Sequence, residues 1–336
     1  MSKAAELAKM GEVLTNSQVG GRRNIVINGA MMIAQRATTA SFAGSSGGYV
    51  SLDRFITYAN GGGALTLSQE TDVPSGEGFK NSMKVTVNTA DSSIASGDYY
   101  VLQHRIEGNA SSQLMQGTAN AETITISFYV KSSLTGNFGG ALNNSDSSRS
   151  FPFQYTIDSA NTWQRITKTI TLDTSGTWTT NNTTGLQFQW DFGSGATFQG
   201  TANTWASANY HTAPSSVQLI GTNSATWFVT GFQIEVGSTA TPFEHRSRGD
   251  ELNLCLRYYC NTISIYHLDY GGGSSLGNFQ FPVPMRDSPT YTTFENNGGT
   301  SLFDLHHTRE PGALAGYAYK AADISDRVSF TADAEL

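Results

Sequence analysis

The chain has 336 residues, 35 glycines, a formal net charge of −7 and only 14% charged residues. Its length is sufficient for one large and one small domain with hydrophobic cores. The negative charge argues against nucleic acid and anionic membrane as main partners, because both need a basic stripe and the sequence has no basic cluster. No apolar run is long enough to predict a transmembrane segment. The abundance of Gly, Ser, Thr and Asn is typical of short strands joined by tight polar turns.

The N-terminal segment, residues 2–17, is the one stretch with a helical pattern. Leu7, Met10 and Leu14 recur at coiled-coil spacing and form its apolar stripe. A helix this short is marginal alone, so it needs a partner, which could be the same chain, sister chains or a docking protein. We therefore expect residues 1–23 to be an anchoring helix and linker.

The pattern of charges and cysteines bears on where the chain folds. Charged residues interrupt the apolar positions near the N-terminus, so a secretory signal peptide is not expected. The two cysteines, Cys255 and Cys260, are fewer than a disulfide-stapled extracellular protein usually has. Their spacing suits neither a zinc site nor a hairpin disulfide, and we interpret them as buried thiols. These features predict folding in a reducing cytoplasm.

Strand patterns dominate residues 24–247. Apolar and polar residues alternate there at the period of half-buried strands, and turn residues separate the runs. The clearest alternating runs are Ile124 to Val130, Phe151 to Ile157, Leu186 to Phe192, and Phe232 to Val236. No helical pattern intervenes. The segment is therefore predicted to be an all-β, antiparallel, jelly-roll-like β-sandwich.

A second domain is predicted after the most charged segment of the chain, residues 246–250. Leu254, Leu256 and the later pair Phe279 and Phe281 are apolar signals that suggest strands. We expect residues 248–336 to form a small β-rich domain.

No catalytic motif stands out in the sequence. It lacks a nucleophile elbow, a Walker loop, a dinucleotide fingerprint and a zinc-type spacing of Cys and His. His306 and His307 are adjacent, so on a strand they would face opposite sides, which disfavours a shared metal. We expect no enzyme activity, no metal and no cofactor.

Cleavage of a polysaccharide stays open as an alternative, because it needs only two carboxylates on either side of a glycosidic bond. The spacing of the carboxylates does not show that any two converge. The candidates are Asp53, Asp98, Glu107, Asp191, Glu235 and Asp250.

Aromatic residues in polar loops are candidates for sugar binding, since a flat ring can pack on the apolar face of a sugar. Trp178 lies in the polar loop 174–182, where an exposed ring is unusual. Trp205 and Tyr210 lie in a second loop. A structural role for these rings, at the sandwich end or a subunit interface, is the alternative. In contrast, Trp163, Trp190 and Trp227 fall in strand patterns and are expected in the core. The C-terminal candidates are Tyr291, Tyr317 and Tyr319.

Several motifs occur in an order that resembles one family. They are Asn24–Gly29, Gln35–Arg36, Leu52–Phe55, Gln103–Gly108, Ser127–Ser132, Asn161–Trp163, residues 231–259, Phe281–Arg286, Pro289–Thr290 and Asp333–Leu336. Together they resemble bacteriophage tail-fibre and appendage proteins with a carbohydrate-binding-like jelly-roll domain. The resemblance covers most of the chain.

The resemblance implies a function and partners. It implies a virion appendage, a homotrimer of sister chains built on a carbohydrate-binding-type sandwich. With the missing catalytic motifs and the features that predict folding in the host cytoplasm, this leads us to expect a protein that attaches to a host-surface glycan without cleaving it. The N-terminal helix would dock on another virion structural protein. A purely architectural role, as a head fibre or decoration, and a glycan depolymerase are the alternatives.

Overall fold

The structure is a computed structural model that divides into two compact units, Met1–His245 and Arg246–Leu336. The residues it describes are 23–266, 275–296, 304–307, 315–320 and 327–336, together with Lys3. Leu7, Met10 and Leu14 lie outside the described residues, so the anchoring helix stays a prediction. No helix within the described ranges is long and apolar enough to cross a membrane.

Two six-stranded sheets form the first unit. In spatial order, the first sheet contains β1 (Thr39–Ala43), β4 (Ala64–Glu70), β5 (Ser82–Thr89), β12 (Thr226–Val236), β7 (Thr123–Ser132) and β10 (Gln164–Thr171). The second contains β2 (Ser46–Gly48), β3 (Phe55–Asn60), β6 (Tyr99–Glu107), β11 (Thr184–Ser194), β8 (Gly136–Asn143) and β9 (Ser150–Ile157). Neighbouring strands pair antiparallel throughout both sheets.

Short helical turns join some of these strands. They are α1 (Gly108–Ser111) and 3-10 turns at Ser112–Leu114, Ala196–Phe198 and Leu219–Gly221. The predicted all-β antiparallel sandwich is confirmed.

The core lies between the sheets and is rich in aromatic rings. The alternating residues of β11 are all fully buried on this side: Leu186, Phe188, Trp190 and Phe192. The Trp190 ring centre lies 5.6 Å from that of Phe128 on β7 and 4.7 Å from that of Phe232 on β12. Rings from one sheet therefore pack directly on rings from the other, and burial of such large apolar side chains drives the pairing of the two layers.

One of the three tryptophans expected in the core is elsewhere. Trp190 and Trp227 are fully buried as predicted, but Trp163 is only partly buried. It precedes the edge strand β10, and its indole Nε1 donates a hydrogen bond to Asp72 Oδ1 at 2.9 Å. The prediction was wrong because a strand-like pattern does not distinguish an edge position from a central one.

The sequence pattern does not predict β8, which contains three glycines. The packing explains them. A Cβ added at Gly140 would lie only 2.5 Å from the carbonyl oxygen of Gln189 on the adjacent strand. Glycine is therefore required for close approach here, although glycine weakens strand propensity in general.

The second unit begins with a helix, α2 (Arg248–Leu256), where strand signals were expected. The strands are β13 (Tyr259–Tyr266), β14 (Ser275–Gln280), β15 (Thr290–Asn296), β16 (Asp304–His307), β17 (Ala315–Lys320) and β18 (Arg327–Asp333). They form two three-stranded sheets, in the orders β13-β18-β15 and β14-β17-β16. Ser247 begins the helix, since its Oγ accepts a hydrogen bond from the Asp250 amide at 3.1 Å.

Some predicted residues of the second unit can be placed and some cannot. Cys255 and Cys260 are buried thiols, as predicted. Tyr291 is partly buried, and its ring packs on Phe330 with centres 5.4 Å apart. The side chains of His306, His307, Tyr317 and Tyr319 lie outside the part of the chain that the structure describes.

Trp190→Ala tests the interlocked core. We expect a loss of about 3–5 kcal/mol in the free energy of unfolding, because the change removes a fully buried ring and leaves a cavity. Urea denaturation followed by circular dichroism measures it. Trp163→Ala is the matched control and should cost much less. Equal losses in the two variants would contradict the assignment of Trp190 to the centre of the core.

Candidate functional site

Trp178 and Trp205, the two loop tryptophans predicted to bind sugar, contact each other. Their ring centres are 5.7 Å apart and the rings are nearly perpendicular. Both are partly buried and pack against the core. Trp178 Nε1 donates to the Ser175 carbonyl at 2.9 Å, and Trp205 Nε1 donates to the Thr171 carbonyl at 3.0 Å. An exposed Trp178 ring was expected, but both rings are partly buried. The polar loops fold back, and backbone carbonyls accept hydrogen bonds from the two indole nitrogens.

Tyr210, the third predicted residue, lies against the backbone of its own loop. A Cβ added at Gly200 would lie 2.1 Å from the Tyr210 ring. The Tyr210 carbonyl accepts hydrogen bonds from Asn143 Nδ2 and Gln189 Nε2, each at 3.4 Å. The sugar-binding role of all three residues stays a prediction.

A groove of about 310 Å³ lies on the outward face of the second sheet. Its floor contains Gln103 of β6 and Gln187 of β11, and Tyr58 of β3 lines one side. Residues 145–147, in the loop after β8, line the opposite side, because β8 lies beyond β11 in the order of the sheet. We call this cavity the amide groove. It crosses three strand spacings, or about 14 Å, which is the length of a few sugar rings.

A chain of side-chain amides fixes the floor of the amide groove. Gln103 Nε2 donates to Gln189 Oε1 at 2.8 Å, and Gln189 Nε2 donates to Asn143 Oδ1 at 3.1 Å. All three amides are buried. They lie side by side because β6, β11 and β8 are neighbouring strands. A buried polar network whose members are bonded to one another is rigid, so these groups have fixed directions before any ligand binds.

An aromatic wall borders the floor. It consists of Tyr99 at the start of β6, and Phe198 and His211 from the loop after β11. The Phe198 and His211 rings stack with centres 4.4 Å apart, and each packs on Tyr99, at 5.1 and 5.3 Å. Burial lowers the pKa of His211 to about 4, so the wall is uncharged at neutral pH.

A cation and a phenol flank the floor on the β3 side. Arg105 Nη2 donates to Tyr58 Oη at 2.9 Å, and its guanidinium carbon lies 5.4 Å from the Tyr58 ring centre. Arg105 Nη2 also lies 3.5 Å from Gln103 Oε1, so the amide chain begins at a positive charge. Since Tyr58 Oη accepts from Arg105, its own O–H remains able to donate.

The loop after β11 is held on the sheet by a buried polar cluster. Ser194 Oγ donates to Asp191 Oδ1 at 2.5 Å and lies 3.4 Å from His211 Nδ1. Asp191 has no exposed surface, and this burial raises its pKa to about 7. The same loop packs on β8, where a Cβ at Gly139 would collide with Thr212. These contacts position the aromatic wall.

The carboxylates considered for catalysis do not converge in the amide groove. Asp53, Glu107, Asp191 and Glu235 are buried, Asp98 accepts from the Ala95 amide at 2.9 Å, and Asp250 lies in α2. Among the groove-lining residues that the structure describes, Asp146 is the only carboxylate. The described residues also contain no group of three possible metal ligands. The groove offers hydrogen bonds and aromatic contact.

Sequence reasoning missed the groove. The signal was present in β11, where Gln187, Gln189 and Asp191 alternate with the core residues. An outward face made of amides, without Lys or Glu, is unusual for a solvated strand.

Comparison with known proteins gives no close relative. No family model matches the chain, and no curated protein matches it. Among solved structures, the enzymatically active domain of bacteriophage CBA120 tailspike protein 4 has 10% identity and a TM-score of 0.34 over 64% of this chain. The chain spans only 22% of that tailspike structure.

Two structures from Clostridium thermocellum match this chain with comparably low identities and TM-scores. A family 11 carbohydrate-binding module of cellulase Lic26A-Cel5E has 14% identity and a TM-score of 0.30, covering 63% of this chain and 99% of the module. Modules CBM22-1 and GH10 of xylanase 10B, in complex with xylohexaose, have 10% identity and a TM-score of 0.30, covering 71% of this chain and 32% of theirs.

Asp191→Asn tests the buried cluster through the pH dependence of stability. The folded pKa of about 7 is above the unfolded value of 3.8. The folded state therefore retains a proton that the unfolded state has lost, and this contribution to stability is full below about pH 4 and is lost as pH rises to 7. The amide cannot ionise, so the variant should lack this fall in melting temperature between pH 4 and 7. Exposed Asp158→Asn is the control. A variant slope equal to the wild-type slope would contradict the buried, protonated carboxyl.

Proposed function

We propose that this chain is a non-enzymatic bacteriophage appendage protein, a tail fibre, that binds a host-surface glycan in the amide groove. The observation that carries the binding proposal is the groove itself, in which buried amides with fixed directions lie beside an aromatic wall. Sugars present hydroxyl groups around an apolar ring face, and a ligand site with a few oriented polar groups and aromatic side chains is complementary to both.

The virion setting of this proposal depends on the sequence motifs that resemble phage appendages. In the same proposal, sister chains form a homotrimer and residues 1–23 attach it to another virion protein. Several grooves on one particle would raise the avidity for a repetitive polysaccharide well above the affinity of one groove. A purely architectural decoration is the rival, and it predicts no affinity of the groove for any glycan.

The charge distribution favours binding over cleavage in this proposal. Glycoside hydrolysis needs a pair of carboxylates flanking the scissile bond. Asp146 is the only carboxylate among the described residues that line the amide groove, and Asp191 is fully buried. Release of reducing ends from host polysaccharide by the purified protein would overturn the non-enzymatic part of the proposal and favour a depolymerase.

Tyr99→Ala tests where the glycan binds. Loss of this wall ring should weaken binding of host-cell polysaccharide about five-fold, because an aromatic contact is worth about 1 kcal/mol beyond area burial. Biolayer interferometry on immobilised polysaccharide measures it. Trp178→Ala is the matched variant, since Trp178 is partly buried against Trp205 outside the groove. It should leave affinity unchanged.

The opposite pattern would overturn the groove. If Trp178→Ala abolishes binding at unchanged melting temperature while Tyr99→Ala binds normally, the loop tryptophans form the receptor site. If wild-type protein binds no host polysaccharide and the virion still adsorbs normally without it, the architectural alternative is correct.

A further inference from the structure

The side-chain amide of Gln187 is buried, yet its oxygen is left to accept a hydrogen bond from a ligand. Gln187 is 3% exposed and lines the amide groove. Its Nε2 donates to the carbonyls of Asn144 at 3.1 Å and of Ser145 at 2.9 Å. Both amide hydrogens are thus used by the backbone, which fixes the side chain so that it cannot flip its oxygen and nitrogen. Oε1 is left as a hydrogen-bond acceptor on the groove.

A carboxylate follows directly in the chain. Asp146 comes after Ser145, whose carbonyl binds Gln187, and it also lines the groove. Asp146 Oδ1 accepts from the Ser148 amide at 3.0 Å and from Ser148 Oγ at 2.7 Å. These hydrogen bonds lower the pKa of Asp146, so it is ionised at neutral pH. The Asp146 backbone amide and the Asn144 side chain contribute to the same lowering. Because the Asp146 side chain is exposed and a carboxylate has about four acceptor sites, it can still accept a hydrogen bond from a ligand.

The turn that carries Asp146 is fixed independently of any ligand. Asn144 Oδ1 accepts from the Arg149 amide at 2.9 Å, and Asn144 Nδ2 donates to Ser148 Oγ at 2.9 Å and to the Thr177 carbonyl at 3.1 Å. Gln187 and Asp146 therefore line the same groove from fixed positions, linked through the Ser145 carbonyl that accepts from Gln187. Fixed acceptors reduce the conformational entropy that is lost when a ligand binds.

We infer that Gln187 and Asp146 form an acceptor pair that selects a ligand with two adjacent hydroxyl groups, a vicinal diol of a sugar ring. Each hydroxyl donates one hydrogen, the first to Gln187 Oε1 and the second to Asp146. The inference rests on the proposed glycan-binding function and specifies its ligand class. It also orients the sugar, since the donors Arg105 and Tyr58 lie on the opposite side of the groove and suit an acceptor group.

The acceptor pair lets the groove discriminate between ligands as well as bind them. A ligand without donors at this position forgoes one hydrogen bond to the Gln187 amide oxygen and one charge-assisted hydrogen bond to the exposed Asp146 carboxylate, which a diol would make. A sugar in which these hydroxyls are substituted or oxidised therefore binds more weakly.

Asp146→Asn tests the inference, because the exposed amide keeps the shape of the side chain but replaces one acceptor oxygen with a donor. The probe is host-cell polysaccharide, native or treated with periodate, which cleaves the bond between two carbons that carry adjacent hydroxyls. For wild type, periodate treatment should lower affinity at least about ten-fold. Asp146→Asn should lower affinity for native polysaccharide by a similar factor, and periodate should then have little further effect. Exposed Asp158→Asn should behave as wild type.

Three results would overturn the inference. Native affinity of Asp146→Asn equal to wild type is one, and undiminished periodate sensitivity in that variant is another. The third is loss of wild-type binding in EDTA, which would mean that Asp146 holds a cation instead of a hydroxyl. In all three cases glycan binding itself stands. By contrast, absence of any binding by wild type would overturn the proposed function together with the acceptor pair.

Discussion

The pleat of β11 is the constraint on which the rest of the first unit depends. Successive side chains of a strand point to opposite faces, so a single run of sequence builds the core and the candidate site back to back. On one face, Phe188 and Trp190 join the two sheets through ring contacts. On the other, Gln187 lines the amide groove, and the buried Gln189 joins Gln103 to Asn143 in the amide chain. A shift of register by one residue would exchange the faces and destroy both.

This arrangement explains how a site rich in buried amides is tolerated. An unbonded buried amide is costly, but here each amide binds its neighbour on the next strand or the backbone of an adjacent turn. The aromatic core behind β11 holds the strands in place, so the amides keep their spacing. The contacts of Ser194 with Asp191 and His211 hold the loop after β11 on the sheet. This loop supplies the stacked Phe198 and His211 rings of the aromatic wall beside the amides.

The sequence predicted much of the fold and little of the site. Period-two patterns identified the central strands and the buried Trp190 and Trp227, because burial of one face leaves a clear signal. They failed at β8, where close packing demands glycine, and at α2, where Ser247 caps a helix in a short polar stretch. The groove was missed because its residues come from three separate strands and two loops. The loop tryptophans were predicted to bind sugar from the polar composition of their loops. The exposure of their rings, however, depends on how those loops fold.

The most direct test of the account is side-chain NMR of the 36.1 kDa chain during titration with fragments of host polysaccharide. Glycan binding in the amide groove predicts that the side-chain amide resonances of Gln103 and Gln187 shift as ligand is added, while the indole N–H resonances of Trp178 and Trp205 stay in place. Shifts of the two indole resonances, with the glutamine amides unchanged, would contradict it.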